Sequence, residues 1–493
     1  MNRVIAVLFL ITTLCLSYPG LAYMEPSSEE PTFYDANLEK AIRLSLGKTN
    51  DEPLTQADMQ SLTVLTANHK NIKDLRGLEY AVNLTEIHMS YNDITDLTPL
   101  KSLTKVRTLM LHVNQISSIE ALSSLKDLRF VDISYNQVSS LDVMKQLPNM
   151  IDLNAENNKI SNIEALSGAE NLASLIVNGN AIENIAPVSK LTKLTYLEIS
   201  NTKVKDLTPL KSLAKGLTHL AIDGNQVSNL SPLTTLNHLM SLSAMNNNIE
   251  SLTPLASLKS LGLLYLSSNK IKDLDPLRNL TNLSTLYLDN NCVWNLEPLR
   301  NLKSLSTLYL SNNRVWDLSP IQNHKFENLM EYGSQLKLDG NYLDLSPKTP
   351  TSQIFDKLDA DYAGSQSLAQ RLVIGSKTAY LGDKPYTIMS APFIQNNRTY
   401  VPIRFISEKL GATVSWNQST KMVTIKKDGI TIRWGLGSKK VQVNQQSITY
   451  DAPLLQKNNT SFVPVRFVSE QLNASVEYLA SKKTVIIFKN VSN

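Results

Sequence analysis

Tyrosine stands at positions 265, 287 and 309, each time in the phrase Leu-Tyr-Leu and each time 22 residues from the next. Phenols at a fixed spacing break no bonds. They supply flat, amphipathic surface, which is what binding faces use as anchors. His88, His112 and Asp132 occupy corresponding places in earlier copies of the same pattern. Their atom types could ligate a metal, but no tight His-x-His pair accompanies them, and isolated histidines on a polar face are usually just solvated. The chain offers no nucleophile–base pair, metal cluster or phosphate loop. Binding rather than catalysis is therefore expected, with no metal and no cofactor.

The tyrosines sit inside a longer frame, L-x-x-L-x-L-x-x-N-x-I-x-x-L-x-x-L. Its Asn falls at Asn92, Asn114, Asn136, Asn158 and Asn180, then at Asn225, Asn247, Asn269, Asn291 and Asn313. Thr202 fills the slot between Asn180 and Asn225, and that stretch holds one extra residue near Gly216. A degenerate first copy has Lys70 in the slot, and a last copy has Asn341. Repeats of this length stack as a solenoid, because a single turn cannot bury its own leucines. The two Leu of L-x-L point inward from a short strand, so the residue between them must point outward. The Asn is expected at a buried bend, where its amide satisfies backbone groups of two turns. The return leg, often with Pro near its start, is expected to be a short 3₁₀-like segment. Leu38, Ala41, Ile42 and Leu46 form an amphipathic stripe ending at Gly47, and Thr55-Gln-Ala-Asp58 resembles a capping box. Together these form an N-terminal cap.

At 493 residues the chain is too long for one ordinary domain unless it is a repeat array. Arg3, the apolar run Val4–Leu16 and Gly20-Leu21-Ala22 read as an export signal over 1–22. The run is shorter than the ~20 residues of a membrane span, and no transmembrane anchor is expected. Leu14 is too large for lipoprotein cleavage before Cys15. The mature chain would keep only Cys292, so no internal disulfide can form. A secreted, extracellular or wall-associated protein of a Gram-positive cell fits this pattern.

The segments DANLEKAIRLSLGKTNDEPLTQADMQSLTVL and NIKDLRGLEYAVNLTEIHMSYNDITDLTPL resemble the cap and first repeats of internalin-like leucine-rich-repeat proteins. The resemblance implies an α/β solenoid: a curved horseshoe of 22-residue repeats, a parallel sheet on its concave face and a helical N-terminal cap. It also implies a secreted recognition protein that binds another protein on that face. The family's Leu-Pro-x-Thr-Gly sorting motif does not occur in the chain.

After Asn341 the frame stops, and a second duplication begins. TYVPIRFISEKLGATVSWNQSTKMVTI (399–425) matches SFVPVRFVSEQLNASVEYLASKKTVII (461–487) at an offset of 62. The repeated V-P-x-R-F resembles the copper amine oxidase N-terminal-like, or stalk, domain, which implies a small duplicated α+β module without catalysis. All six His lie at or before His324, so this half has no imidazole for copper. Arg404 and Arg466, inside the motif, are expected to be structural. The division expected is a signal at 1–22, cap and first repeat at 32–82, solenoid at 83–346, linker at 347–371 and stalk domain at 372–493.

Residues 371–493 contain 17 Lys and Arg against 6 Asp and Glu, net +11, whereas the remainder is net −7. A basic module outside the cell would attract anionic wall polymers. Nucleic acid is not an expected partner. The outward positions of the solenoid should present His88, Met110, Asp132, Tyr265, Tyr287 and Tyr309 on the concave face, with His112, Phe130, Tyr135 and Tyr196 beside them. The Tyr series serves either as a ligand anchor or as cross-strand packing. Trp294 and Trp316 should cover the edge of the array. A protein ligand on the concave face is the first expectation. A mainly structural wall component, or a glycan-binding adhesin, is the alternative.

Overall fold

The computed structural model describes residues 31–326, 328–329, 333–358 and 364–490. The expected signal at 1–22 lies outside them. Helix α1 (Ala36–Leu46) starts where the Asp35 carboxylate accepts from the Asn37 and Leu38 amides, and it stops at Gly47 (φ 68°). Helix α2 (Gln56–Ser61) carries the full capping box of Thr55 and Asp58. Leu38, Ala41, Ile42 and Met59 cover the open end of the first turn.

From Val64–Thr66 onward, three-residue strands stack in parallel, in register and in chain order. The sheet has thirteen strands and ends with Leu336–Lys337. A 3₁₀ segment returns the chain in each regular turn, as at Thr98–Ser102 and Glu297–Leu299, with Pro in the first positions of most. The extra residue near Gly216 is absorbed in a return leg whose 3₁₀ helix runs over Thr208–Leu213. One continuous leucine core fills the array from Leu38 to Leu358.

The Asn slots hold the turns together. Asn269 donates from Nδ2 to the Ala244 and Leu266 carbonyls at 2.8 and 3.0 Å, and its Oδ1 accepts from the Ile249 amide at 2.9 Å. Asn114, Asn291 and Asn313 repeat the arrangement. Thr202 keeps the bond to its own turn, at Ile199, but directs a second contact to Asn225 Oδ1.

Within residues 347–371, expected as a linker, helix α3 (Pro350–Lys357) forms, and Leu358 after it joins the solenoid core. This segment closes the last turn. The C-terminal module then forms three antiparallel sheets. Strands Thr413–Asn417, Met422–Lys427, Ile430–Gly435, Lys440–Val443 and Gln446–Thr449 make an outer sheet. Strands Ala474–Leu479, Thr484–Lys489, Gln370–Val373, Thr378–Leu381 and Lys384–Thr387 make a junction sheet. Helices α4 (Ile403–Lys409) and α5 (Val465–Gln471) follow Pro402 and Pro464, and Gly411 and Asn473 come just after them in the left-handed region. The core around Trp434, Phe467 and Leu472 is the module's own. Arg404 and Arg466 are not structural. Both point to solvent, and the Arg404 side chain is 64% exposed.

The junction sheet lies against the solenoid. Phe488 and Ile486 pack with Trp316, Tyr342 and Ala369 in a separate apolar cluster. The Tyr342 hydroxyl donates to the Lys489 carbonyl. Lys272 pairs with Glu477 at 2.7 Å and Lys482 with Asp317 at 3.1 Å. Arg371 lies over the Trp316 ring, 4.7 Å from its centroid. Trp316 is thus covered by the second domain and is only 8% exposed, and half-buried Trp294 packs beside it.

Candidate functional site

The strand register places the outward residues in columns. One column runs His88, Met110, Asp132, Asn154, Ile176 and Glu198, and continues through Ala221 and Ser243 to Tyr265, Tyr287, Tyr309 and Lys337. Tyr287 and Tyr309 stack at 4.2 Å and 14°, whereas Tyr265 meets Tyr287 edge-on at 4.9 Å. Lys337 ends the ladder with its ammonium 4.2 Å from the Tyr309 ring centroid. Partial burial, and for Tyr287 a hydrogen bond with Tyr309, raise the phenol pKa values of Tyr265 and Tyr287. These phenols are uncharged at neutral pH and present both ring surface and hydroxyl.

The N-terminal third holds a second aromatic group. His69 stacks on Tyr91 at 4.2 Å, and His112 meets Tyr91 and Tyr135 edge-on at 5.0 and 5.2 Å. His112 Nδ1 lies 2.6 Å from Ser134 Oγ, and its Nε2 lies 3.2 Å from the Tyr91 hydroxyl. The Asp132 carboxylate accepts from the Ser134 amide and hydroxyl. His88 stands 3.4 Å from Glu86. These side chains engage hydroxyls and one another, and among the described residues no group of three or more His, Cys, Asp or Glu is placed to hold a metal. Phe130 and Tyr135 are 40% and 48% exposed. Tyr196, farther along, stacks on His219 and donates to Glu198, which pushes its pKa up to about 12.

His69 and Tyr91 were not among the expected residues, yet a signal for them was present. The residue before each Asn slot adopts a left-handed backbone in every turn: Asn157, Asn201, Asn246, Asn290 and Asn312 at φ 50–56°, and Gly179 and Gly224 near 62°. Asn and Gly suit that conformation. At Gly224 a Cβ would lie 2.0 Å from Asn201 Oδ1, so a larger residue there would require the Asn201 side chain to turn away. Tyr91, Val113 and Tyr135 hold the same conformation at φ 54–57°. A bulky residue costs about 1–2 kcal/mol in this region. Strained backbone thus recurs at successive turns beside the exposed rings of Tyr91 and Tyr135.

Carboxylates line the floor, Asp152 and Asp223 between the two aromatic groups and Asp289 beside Tyr287. Asp152, Asp223 and Asp289 all have pKa values raised by burial. Asp223 accepts from the Ser243 hydroxyl at 2.7 Å and from the Met245 amide at 2.6 Å. These bonds favour the carboxylate, but burial outweighs them, and the folded chain disfavours the charged form. Stability from such a group is fully present below the unfolded carboxylate pKa and falls as pH rises through the higher folded value. Asp223→Asn is expected to raise the melting temperature at pH 7, with the gain disappearing below pH ~4. Thermal melts of both chains across pH 3–8 check it, and a lower melting temperature at pH 7 would refute it.

Comparisons with known proteins follow the same division. The family description "Leucine Rich repeats (2 copies)" matches residues 82–124, 104–149, 170–212, 259–301 and 281–323, and "Copper amine oxidase N-terminal domain" matches residues 371–487. The chain is 32% identical to Internalin C of Listeria monocytogenes over 95 residues, 18% of this chain and 32% of that protein. It thus spans about a third of that relative's length. The crystal structure of an internalin (inlF) from Listeria monocytogenes is 29% identical, with a TM-score of 0.62 over 68% of this chain and 96% of that one. A leucine-rich-repeat protein of Leptospira interrogans, 23% identical, shares the fold with a TM-score of 0.52 over 58% of this chain and 74% of its own.

Proposed function

We propose that this chain, an internalin-like leucine-rich-repeat protein with a C-terminal stalk domain, is a secreted or surface-associated recognition protein. It binds a protein ligand through the concave face. The stalk domain does no chemistry. It spaces the solenoid from the cell wall, and its net charge of +11 favours retention by anionic wall polymers. The observation that carries the binding reading is the position of the outward-facing rings. The Leu and Asn positions are fully used in holding the turns together, while Tyr91, Tyr135, Tyr265, Tyr287 and Tyr309 lie where the fold accepts His, Met, Asp, Asn or Gly in other turns. Two aromatic groups flanking a carboxylate-lined floor suit a ligand with apolar anchors and cationic side chains.

The triple variant Tyr265→Ser, Tyr287→Ser, Tyr309→Ser is expected to lose at least tenfold in binding to surface-protein extracts captured by cross-linking. Truncating each of two or more central aromatic anchors typically costs ~1–2 kcal/mol. The leucine core is untouched, so the circular dichroism spectrum should be unchanged. Full binding by a folded triple variant would remove the C-terminal tyrosines from the site.

A further inference from the structure

The C-terminal module is built twice, and the same face of its two copies has different surroundings. The offset of 62 equates Lys426 with Phe488, Thr424 with Ile486 and Ser415 with Glu477. Strand register extends the match: Thr424 pairs with Arg433 in the outer sheet as Ile486 pairs with Arg371 in the junction sheet. In the junction copy this face is covered. Phe488 and Ile486 are fully buried in the cluster with Trp316, Glu477 is paired with Lys272, and Arg371 lies on Trp316. It is therefore the docking face of the fold, occupied by the solenoid. In the outer copy the corresponding face is open to solvent.

Its chemistry there is different. Lys426, Arg433 and Lys440 stand exposed on three adjacent strands, each displaced two residues from the last. Sheet geometry puts successive members of this diagonal about 8 Å apart. None of the three joins an ion pair among the described residues, in contrast to Lys427, which lies 3.9 Å from Asp428 in the hairpin. The positions paired with them are Thr413, Thr431, Thr424, Gln442 and Thr449. No outward position of the five strands carries a carboxylate.

We propose that this outer face binds a linear polyanion with a hydroxyl-bearing backbone, a phosphodiester-linked polyol. This rests on the wall-retention reading above and gives it a location. The cation diagonal meets successive charges, and the Thr and Gln side chains between exchange hydrogen bonds with the backbone hydroxyls. The face has no aromatic ring for base stacking, which disfavours single-stranded nucleic acid. Met422 is its one large apolar side chain, too little to enter a membrane.

The test is retention of the full chain on immobilised poly(glycerol phosphate) across a salt series, with uncharged dextran as control. The unaltered chain should be held at low salt and released as salt rises. The variant Lys426→Gln, Arg433→Gln, Lys440→Gln should bind at least tenfold more weakly with a shallower salt dependence, at an unchanged melting temperature. The triple tyrosine variant should be retained normally. Equal retention of the Gln variant would overturn this face while leaving wall retention standing. No retention of the unaltered chain would overturn both, as would equal binding to dextran. A Gln variant that lost only self-association would assign the face to a second copy and overturn the polymer.

Discussion

Asn269→Ala is expected to destabilise the solenoid by roughly 3–5 kcal/mol, a large fraction of a typical domain's stability. The side chain is nearly inaccessible and links two turns. Without it the Ile249 amide and the Ala244 carbonyl lose their partner inside the core, while the Leu266 carbonyl keeps its bond from Asn291. Each buried group left unsatisfied costs about 1–3 kcal/mol. In a repeat array the loss falls on one interface between neighbours, so the chain should begin to melt there. Urea titration should show a lower midpoint, and hydrogen exchange should rise first around residues 244–269. Asn269→Thr should cost about half as much, because Thr202 shows that a hydroxyl keeps one of these bonds. A loss below about 1 kcal/mol for the alanine variant would refute the role given to the slot.

Phe488→Ala should cost about 3–5 kcal/mol, the usual range for truncating a buried Phe. Its ring meets Tyr342 edge-on at 4.8 Å and fills the cluster that joins the two domains. The module's own core, around Trp434 and Phe467, does not include it. The expected result is uncoupling: calorimetry should resolve two transitions in the variant and coupled melting in the unaltered chain, and proteases should gain access between the domains. Lys426→Ala is the matched control. It alters the equivalent position of the other copy, where the side chain is exposed, and should change stability by less than about 0.5 kcal/mol. If the two variants melted alike, the junction would have no energetic weight.

The repeat was legible because its slots tolerate so little. Leucine at three positions and Asn at a fourth recur wherever a turn must close, so the frame, the outward column and both cap helices could be read from residue types alone. The junction was not read, although its sign was present. The outer copy alternates as Met-Val-Thr-Ile-Lys, the pattern of a strand with one face in water. The inner copy runs Thr-Val-Ile-Ile-Phe, apolar on both faces, as in a strand covered on both sides. The close match of the two copies elsewhere masks the difference. Arg404 and Arg466 were misplaced for a related reason: a motif can be packed as a whole while its helix turns one side chain outward. His69 and Tyr91 were missed because a left-handed backbone leaves no periodic hydrophobic trace. Only the departure from Asn and Gly before the slot points to them.

The strand by which the chain enters the second domain, Gln370–Val373, is paired on both sides, with Thr378–Leu381 and with Thr484–Lys489, which carries Phe488. This gives the molecule a mechanical property. A pull on a ligand held by the solenoid, resisted at the far end of the stalk, would enter the second domain through an interior strand. Two ladders would have to shear together before that strand moved, whereas an edge strand unzips one bond at a time. Tension would therefore be carried by packed side chains and paired backbone rather than by a loose tether, and the two domains would act under load as one stiff lever.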